Sequence, residues 1–513
     1  MFLGFDSSTQ SFSAIVLDID HNRIIAEASV NFGKDLPHYG APSGFIPGGV
    51  AGEVHTDPMM WLEALDLVLE KLSAQIDLSK VTMIAGSGQQ HGSVYVDETF
   101  GSIIANLNSA TSLKTQLSNS LTRSTSPIWM DTSTGAECTE IANAIGGDAE
   151  VCALSGSIVI ERFTGSQIRK FFKQAPTAYA ATDKVHLVSS FIASVLAGKS
   201  LPIDFGDGAG MNLLNLKNLT WDKNLIDATA PELSDKLLPA TSCLKPQATI
   251  SSYFVEKYGF AESCQVCAFT GDNPASLVGM GATTPGQVVI SLGTSDTFFA
   301  AMTEPKTDPQ GFGHVFGNPA DGFMSLICFR NGSLAREAMR DELGVDWSAF
   351  DQDALSASKS SAGKNLTLPF YGAEITPRHD FEKPVTEFSE NPTDALRIRS
   401  LLEGQFLNMR LHSQWMGIAP QRILLTGGAS KNNGIAQIVA DVFQAPVERL
   451  EVANSAALGA ALIAATAAGN DLVKLQAIFC KPSPDSRIEP DTHLASSYAS
   501  ALGQFKRLLD SQI

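Results

Sequence analysis

The segment 265–280, QVCAFTGDNPASLVGM, contains the transition that decides the fold class. QVCAF has the composition of a buried strand, and Gly271, Asp272, Asn273 and Pro274 interrupt the apolar run before it resumes. Proline suits the first turn of a helix and asparagine suits the N-cap, so the sequence predicts a helix that starts at Pro274 and is capped by Asn273. A buried strand that passes through a short polar turn into a helix indicates an α/β protein.

Asp272 is the first candidate for chemistry. The predicted structure places it at the carboxyl end of a strand and just outside a helix N-terminus, where the helix dipole favours the ionised carboxylate. A fixed carboxylate at such a position can accept a proton from a substrate hydroxyl. The alternative is that Asp272 and Asn273 only cap the helix, and this segment alone leaves both interpretations open.

Strand-like and helix-like segments alternate along the whole chain. The strands are predicted at AIVLDI (14–19), VTMIAGSG (81–88), VVISLG (288–293) and RILLTGG (422–428), and helices at 57–75 and 433–445. A chain of 513 residues is too long for one ordinary core, so we expect at least two domains. The boundary is predicted within 270–288, which divides the chain into domains 1–280 and 281–513.

Two polar hairpins echo one another. LGFDSSTQSFSAIVLD near the start and SLGTSDTFFAAM after residue 290 both contain a strand, a glycine, small hydroxyl residues and a second strand. Gly4 and Gly293 would then each open one half of the molecule. The pattern favours two related halves that close on a ligand between them.

The turns that follow predicted strands could bind phosphate and a flat ligand. Successive N–H groups and hydroxyls at Gly293, Thr294 and Ser295 can cradle phosphate oxygens without a positive side chain. Asp6, in the other hairpin, is expected to face a magnesium-bound water. The glycines of LLTGGASKNN (424–433) allow the backbone to approach a ligand, although a tight turn explains them equally well.

A second polar group follows the predicted strand at 81–88. Gln89, Gln90 and His91 lie between glycines in GSGQQHGSVYV, and such groups can hydrogen-bond a polyol. Arg162, in IERFTGSQ, is a candidate for the same pocket. The plainer interpretations are a structural histidine at a strand end and a surface arginine.

Composition and charge exclude several classes of partner. Hydrophobic residues make up 44% of the chain and charged residues 18%, and 36 Lys and Arg against 54 Asp and Glu give a net charge of −18. This charge argues against nucleic acid or an anionic membrane as the main partner. The start, MFLGFDSSTQ, lacks the features of a signal peptide, and the seven cysteines are scattered, so we expect a cytoplasmic protein with reduced thiols. The glycine-, proline- and serine-rich stretches 38–53 and 356–365 are expected to be surface loops.

Taken together, the motifs resemble those of the FGGY carbohydrate kinases, and within them the xylulose kinases of the eukaryotic type. The resemblance runs nearly end to end and rests on motifs that occur in the same order. They are GFDSSTQ, DLPHYG, GQQHGS, WMDTST, ERFTGSQI, DGAGMNLL, FTGDNPASL, SLGTSDT, FRNGSL, EGQF, TGGASKNN and ANSAALGAA.

The resemblance implies a fold and a reaction. The fold would be two ribonuclease-H-like α/β domains of the actin, hexokinase and heat-shock ATPase type, with ATP and sugar bound in a cleft between them. The reaction would be transfer of the γ-phosphoryl group from MgATP to O5 of D-xylulose. The small-molecule partners would be the sugar and ATP, and the protein would be a monomer or a homodimer.

The resemblance also implies roles for particular residues. Asp272 would be the catalytic base. The sugar would contact His91, Arg162, Asp272 and Asn273. The nucleotide would contact Trp347, Gly428, Ala429 and Asn432. The phosphates and magnesium would lie near Asp6 and near Gly293, Thr294 and Ser295.

One motif departs from the pattern of many family members. They carry Trp-x-Asp-x-Arg, in which the arginine helps to hold the substrate, whereas this chain has Trp129 and Asp131 with Ser133 in place of the arginine. The eukaryotic-type xylulose kinases share this departure, which makes glycerol a poor substrate. Three alternatives remain: a kinase of another ketose or polyol such as ribulose, a non-catalytic actin-like ATP-binding protein, and a sugar sensor without activity.

Overall fold

The computed structural model describes residues 1–356, 362–388, 391–450 and 454–513. The chain forms two compact units. The first contains Met1–Gly281, Val315–Phe323 and Val452–Cys480, and the second contains Ala282–His314, Met324–Glu451 and Lys481–Ile513. The division after Gly281 lies one residue from the expected boundary. The compact units differ from the predicted domains of 1–280 and 281–513 in two later segments, Val315–Phe323 and Val452–Cys480, which belong to the first unit.

The first unit is built on one mixed sheet. Its strands are β1 (Phe2–Ser7), β2 (Ser11–Asp18), β3 (Arg23–Asn31), β4 (Met83–Gly88), β5 (Pro246–Thr249), β6 (Gln265–Cys267) and β7 (Thr270–Gly271). The order across the sheet is β3-β2-β1-β4-β6-β5, and β7 also pairs with β4. β1 runs antiparallel to β2 and parallel to β4, and β4 runs parallel to β6 and β7. The carboxyl ends of β1, β4 and β7 therefore lie at one edge.

The second unit repeats this arrangement. Its strands are β8 (Gln287–Leu292), β9 (Asp296–Met302), β10 (Phe323–Phe329), β11 (Arg422–Thr426) and β12 (Val447–Arg449), in the order β10-β9-β8-β11-β12. Counted along the chain, five strands of each unit follow the order 3-2-1-4-5, which confirms the predicted two-domain α/β class. Shorter strands lie at His55–Thr56, Ser93–Val96, Ser126–Pro127, Lys184–Leu187, Ile203–Asp204, Leu214–Asn215, Thr220–Trp221, Ala240–Thr241, His314–Gly317, Leu366–Leu368, Glu374–Ile375, Arg378–His379 and Val385–Glu387.

Helices cover the sheets. In the first unit they are Phe32–Asp35, Pro58–Ser73, Thr99–Ala105, Leu113–Leu117, Gly135–Ile145, Asp148–Ser155, Thr164–Gln174, Pro176–Ala180, Val188–Ala197, Phe205–Gly208, Lys223–Thr229, Leu233–Lys236, Ser252–Tyr258, Asp272–Gly279, Ser455–Ala467 and Leu472–Phe479. In the second unit they are Ser333–Leu343, Trp347–Ser356, Asp394–Ser413, Asn433–Phe443 and Ala495–Asp510. Across the described ranges, no helix is both long and apolar enough to span a bilayer.

The alternation of side chains along the strands explains how both faces of the first sheet are buried. Leu3 and Phe5 of β1 belong to a core with the helix Pro58–Ser73, whereas Phe2 belongs to a core on the other face. Side chains of a strand alternate between its two faces, so one strand contributes to both cores. The second core is completed by the helix Ser455–Ala467, which we call the Ala-rich helix.

Glycines allow the Ala-rich helix to lie unusually close to its neighbours. A Cβ placed on Gly459 would lie 1.8 Å from the Ala275 carbonyl oxygen, and one on Gly4 would lie 2.2 Å from the Ala461 nitrogen. Only glycine permits such an approach. This packing against β1 and against the helix Asp272–Gly279 is the physical reason why the segment 452–480 joins the first unit.

The expected equivalence of Gly4 and Gly293 was wrong, although the two halves are related. Gly4 lies in the middle of β1. Gly293 lies in the turn between β8 and β9. The structural counterpart of the Gly293 turn is instead the turn after Ser7.

The predicted start of the helix after β7 was wrong by two residues. The helix spans Asp272–Gly279, its N-cap is Gly271, and no side chain caps it. Pro274 is tolerated within the first turn because the first four N–H groups of a helix have no intrahelical partner. The Asn273 side chain is thereby free to make contacts outside the helix.

The structure describes the first predicted surface loop, part of the second, and the cysteines. In the stretch 38–53, Val50 is 73% exposed, which agrees with a surface loop. Residues 357–361 of the second predicted loop, 356–365, lie outside the described residues. Within the described ranges no cysteine forms a disulfide, and burial raises the pKa of both Cys264 and Cys267 to about 12.

The glycine packing leads to a stability prediction. Gly459→Ala places a methyl group into the Ala275 carbonyl, so we expect the free energy of unfolding to fall by about 3 kcal/mol or more, the upper range for overpacked cores. The control is Gly101→Ala in the helix Thr99–Ala105, where a Cβ meets nothing within 4 Å. That change should be neutral or stabilising by about 1 kcal/mol. Thermal or denaturant unfolding compares the two variants, and equal stabilities would contradict the close packing.

Candidate active site

Strand ends of the first unit bring the acidic candidates to one edge of its sheet. Asp6 of β1 pairs with Ser87 of β4 in parallel register, and the Ser87 hydroxyl donates to Asp6 Oδ1 at 2.7 Å. β7 pairs with β4 at Ser87 and Gly88, so Asp272 follows a neighbouring strand at the same edge. Asp6 and Asp272 were both predicted from sequence, and the fold places both at this edge.

The Asp272 carboxylate is oriented by one of its two oxygens. Oδ1 accepts hydrogen bonds from the backbone N–H of Asn273 at 2.9 Å and of Gln90 at 3.3 Å, and from Asn273 Nδ2 at 3.2 Å. Oδ2 accepts none from the described part of the chain. A carboxylate held in this way presents one free oxygen in a defined direction, which is the geometry that a general base needs.

Burial determines the protonation of this group. Burial raises the pKa of Asp272 to about 6, although the hydrogen bonds from the backbone N–H groups of Gln90 and Asn273 lower it. Near neutral pH the group is therefore mostly ionised, yet more basic than an exposed aspartate. A proton acceptor of this strength suits transfer from a hydroxyl.

Two further carboxyl groups lie near Asp272. Burial, and then the charge of Asp272, raises the pKa of Asp6 to about 7. Burial also raises the pKa of Asp207 well above its usual range, and Asp272 adds to this effect. Asp207 is fully buried and accepts a hydrogen bond from the Ser189 hydroxyl. Asp207 had no predicted role, although it lies in the motif DGAGMNLL.

Asn273 links the helix Asp272–Gly279 to the end of β4. Its Nδ2 donates to Gln90 Oε1 at 2.8 Å and to Asp272 Oδ1 at 3.2 Å. These two bonds use both amide hydrogens and leave Asn273 Oδ1 as an acceptor. Asn273 therefore belongs to the site, but through its side chain and not as the predicted N-cap.

His91 and Arg162 meet around the ring of Phe163. His91 stacks on Phe163 with ring centroids 4.2 Å apart, and the Arg162 guanidinium lies 5.5 Å from the same ring. His91 has a positive φ of 72°, and its Nδ1 donates to the Gly210 carbonyl at 2.8 Å. Burial, and then the Arg162 charge, lowers the pKa of His91 to about 3. The ring is therefore neutral, with Nε2 as an acceptor.

The structure supplies a cation beside the residue that replaces the family's arginine. Ser133 donates to Asp131 Oδ1 through its N–H at 2.9 Å and its hydroxyl at 2.5 Å. Lys170, whose side chain is buried, donates to the Ser133 hydroxyl at 2.7 Å and to Glu53 Oε1 at 2.6 Å. Lys170, on the helix Thr164–Gln174, therefore lies beside Ser133, where the motif lacks its arginine. The spacing of residues in the sequence could not have shown this contact.

The second unit contains a cavity of about 500 Å³ that unites most of the predicted nucleotide contacts. Its lining residues are Leu292, Gly293, Thr294, Ser333, Arg336, Trp347, Phe350, Asp351, Gly428, Ala429, Lys431, Asn432 and Ile435. Ser295 is the one predicted contact that does not line it. Among the lining residues that had no predicted role, Lys431 lies within the motif LLTGGASKNN, whereas Arg336, Phe350 and Asp351 come from other helices.

One end of the cavity is a turn held by a buried ion pair. The turn Gly293–Ser295 joins β8 to β9, and Asp296 directly after it forms a two-point pair with Arg336, with N–O distances of 2.9 Å. Arg336 Nη2 also donates to the Gly293 carbonyl at 3.3 Å, and Ser333 N–H donates to the same oxygen at 2.9 Å. These contacts fix the turn whose N–H groups were predicted to cradle phosphate.

Glycines keep this end open. A Cβ on Gly427 would lie 2.3 Å from the Leu292 carbonyl oxygen, so Gly427 brings its segment against the turn. A Cβ on Gly428 would meet nothing within 4 Å, so the backbone there is accessible to a ligand. The segment then continues along the cavity wall to Asn432, which caps the helix Asn433–Phe443.

The other end of the cavity is aromatic. Trp347 and Phe350, one turn apart on the helix Trp347–Ser356, pack edge to face with centroids 5.4 Å apart. Trp347 is 41% exposed, and the Arg340 guanidinium lies 4.6 Å from its ring. A flat, partly apolar surface suits a nucleobase, whereas the polar turn at the opposite end suits phosphates.

Magnesium, which the sequence resemblance implies, fits the carboxylate of Asp6. Asp6 Oδ2 accepts no hydrogen bond from any described residue, and the neighbouring charge of Asp272 favours a cation there. Among the residues the structure describes, no group of three or more His, Cys, Asp or Glu could hold a metal ion. Magnesium needs no such cage, because it keeps several waters and binds through one or two carboxylates and phosphates.

Nearly the whole chain is similar to known proteins. The N-terminal domain of the FGGY family of carbohydrate kinases matches residues 1–279, and its C-terminal domain matches residues 288–468. Xylulose kinase of Rattus norvegicus is 42% identical over 520 residues, covering 99% of this chain and 96% of the relative. Xylulose kinase 2 of Arabidopsis thaliana is 41% identical over 493 residues, covering 91% and 87%.

A solved structure with a similar fold extends the comparison. The xylulose kinase from Rhodospirillum rubrum superimposes with a TM-score of 0.83 at 21% identity, covering 99% of this chain and 98% of the other. At this identity the likeness concerns the fold alone.

The raised pKa of Asp272 leads to a prediction about stability. A carboxyl whose folded pKa lies above its unfolded value destabilises the fold when it is ionised. Asp272→Asn keeps the Oδ1 acceptor and removes the charge, which also relieves Asp6 and Asp207. We therefore expect a higher melting temperature than wild type at pH 8, with a difference that shrinks as the pH falls through about 6 towards 3.8.

The matched control is Asp20→Asn, because Asp20 is exposed. This control should show no comparable pH-dependent difference from wild type. Melting curves at pH 8, 6.5 and 5 compare the three proteins. A lower melting temperature for Asp272→Asn at pH 8 would show that the charge stabilises the fold, and would refute the described environment.

Proposed function

Because the chain belongs to the FGGY family of carbohydrate kinases, we propose that it transfers the γ-phosphoryl group of ATP to O5 of D-xylulose, giving D-xylulose 5-phosphate and ADP. The observation that carries the reaction type is the Asp272 carboxylate, with one oxygen anchored and the other unoccupied by the described residues. The choice of sugar rests on the xylulose kinases, 41–42% identical, to which the chain is similar.

In the proposed mechanism Asp272 Oδ2 takes the proton from O5 as this oxygen attacks the γ-phosphorus. The O5–P bond forms, the bond between the γ-phosphorus and the bridging oxygen breaks, and ADP leaves with the electron pair. Phosphoryl transfer requires little covalent chemistry from the protein, so positioning and charge stabilisation dominate.

Three side chains of the first unit carry groups that suit the sugar. Neutral His91 offers Nε2 as an acceptor for a sugar hydroxyl, and Asn273 Oδ1 offers a second acceptor. Arg162 provides donors next to His91. These groups hydrogen-bond hydroxyls without adding a further carboxylate, which suits a neutral polyol.

The nucleotide is proposed to occupy the cavity of the second unit, with phosphates at Gly293 and Thr294 and the base at Trp347. Backbone N–H groups of the turn, Gly428 and the Lys431 ammonium would offset phosphate charge, while the Arg336 charge is committed to Asp296. Asp6 would hold magnesium through water, and magnesium, when bound, neutralises charge on the β- and γ-phosphates.

Three alternatives differ from this proposal in testable ways. A kinase of another ketose or polyol would keep the same base and nucleotide cavity, since family members can share a fold and differ in their acceptor. A non-catalytic actin-like protein or a sugar sensor would have no use for a base of raised pKa.

We also propose a cytoplasmic location, which provides ATP and keeps the cysteine thiols reduced. The choice between monomer and homodimer stays a prediction from sequence.

The function is tested by coupled ADP production from MgATP with D-xylulose, D-ribulose, L-ribulose, D-fructose and glycerol. We expect D-xylulose to give the highest kcat/KM and glycerol to give little. A different leading ketose would replace the substrate and keep the chemistry. ADP release that does not depend on any sugar would contradict the kinase assignment.

The role of Asp272 is tested with the Asn variant described above. Asp272→Asn should lower kcat by about 10²–10⁴-fold, the usual contribution of a positioned base, and leave the affinity for ATP near that of wild type. Its expected higher melting temperature at pH 8 excludes unfolding as the cause. In the wild type, kcat/KM should fall as the pH drops below about 6, where Asp272 takes up a proton. A variant with a nearly normal rate would disprove the assignment.

A further inference from the structure

Asp351 is a carboxylate in the wall of the nucleotide cavity to which the sequence assigned no role. It lies on the helix Trp347–Ser356, next to Phe350, and it contacts Asn432 from the segment on the facing wall. Asn432 Nδ2 donates to Asp351 Oδ1 at 2.5 Å. The two residues therefore form a polar pair in the wall of a cavity that Trp347, Phe350 and Ile435 also line.

Two hydrogen bonds fix the orientation of the Asn432 side-chain amide. Its Oδ1 accepts from the backbone N–H of Ile435 at 3.0 Å, and its Nδ2 donates to Asp351. A backbone N–H can only donate and an ionised carboxylate can only accept, so the amide cannot be reversed without losing both bonds. One hydrogen on Nδ2 then remains, and no described residue accepts it.

The position of this remaining Nδ2 hydrogen along the cavity indicates which part of the nucleotide lies near it. Gly427 abuts the Leu292 end of the phosphate turn, and the chain runs from there along the wall to Asn432. Asn432 is therefore at the far, aromatic end, where Trp347 and Phe350 offer a surface for the base. In a nucleotide the rings of adenine carry no N–H group, and the exocyclic amine is the donor of the base. The ring nitrogens N1, N3 and N7 accept hydrogen bonds.

We propose that Asp351 is a positioning residue for nucleotide recognition, because it turns the Asn432 amide so that its remaining N–H donates to one ring nitrogen of adenine. The proposal rests on the proposed nucleotide site and assigns the specificity of that site. Asp351 itself need not touch the nucleotide. It acts through Asn432, and a carboxylate is suited to this task because it accepts hydrogen bonds and never donates them.

The experiment measures nucleotide binding by titration calorimetry in the absence of sugar. The probes are ATP and its 1-deaza, 3-deaza and 7-deaza analogues, each of which replaces one ring nitrogen by CH. Wild type should bind one analogue about 3- to 10-fold more weakly than ATP, the range that one net hydrogen bond supports. Asp351→Ala should weaken ATP binding by a similar factor and bind ATP and that analogue equally.

Two further variants separate positioning from a general structural effect. Asp351→Asn keeps an acceptor oxygen for Asn432, so it should restore both the affinity for ATP and the discrimination against the analogue. Gln352→Ala changes an exposed residue on the same helix and should behave as wild type. In steady-state assays Asp351→Ala should raise the KM for ATP and leave kcat and the KM for sugar within about 2-fold.

Several outcomes would overturn the proposal. Normal ATP affinity in Asp351→Ala would show that Asn432 does not depend on it. Equal binding of all analogues by wild type would show that no ring nitrogen receives the N–H. Weak binding with intact discrimination in Asp351→Ala would make the residue merely structural. Because sugar is absent, failure of the proposed sugar-kinase activity would leave these binding results unaffected.

Discussion

Burial of the Asp272 carboxylate at the carboxyl ends of parallel strands is the constraint on which the rest of the first unit depends. An ionised carboxylate in such a place is unfavourable unless donors hold it, and here N–H groups from Gln90 and Asn273 converge on one oxygen. That convergence requires the helix Asp272–Gly279 to begin directly at the strand end. The Ala-rich helix holds it there, and Gly279 and Gly459 permit the close contact. Packing far from any ligand thus determines the direction of the free carboxylate oxygen.

The two units share a strand order but use their first hairpins differently. In the first unit the end of β1 carries the side chain of Asp6, whereas in the second unit the turn after β8 is proposed to bind phosphate through backbone N–H groups. A carboxylate suits a cation or a hydroxyl proton, and N–H groups suit phosphate oxygens. The same backbone geometry therefore supports opposite charges in the two halves, which is what a reaction between a hydroxyl and a phosphate anion requires.

Local sequence signals predicted the strands, the helix at 433–445 and the candidate base Asp272, because each depends on neighbours in the chain. The predictions that depended on distant contacts were less complete. Gly4 resembled a turn glycine, yet the Ala-rich helix about 450 residues later is what requires it. Lys170 beside Ser133, Asp207 beside Asp272 and Asp351 beside Asn432 have no local signature. Asn273 was predicted as a cap because proline follows it, and its contact with Gln90 could only be seen in the folded chain.

Asn273 and Asn432 illustrate how the fold decides whether the oxygen or an N–H of a side-chain amide remains available to a ligand. An asparagine side chain has two donors and an acceptor, and on its own it can present either to a ligand. In each unit an aspartate accepts a hydrogen bond from the Nδ2 of an asparagine: Asp272 from Asn273, and Asp351 from Asn432. A second partner fixes the rest, so that Asn273 keeps an oxygen for a hydroxyl and Asn432 keeps an N–H for a ring nitrogen. Acidic residues thus serve recognition in both units by deciding which atom of a neighbouring amide remains free, even where they do not meet the ligand themselves.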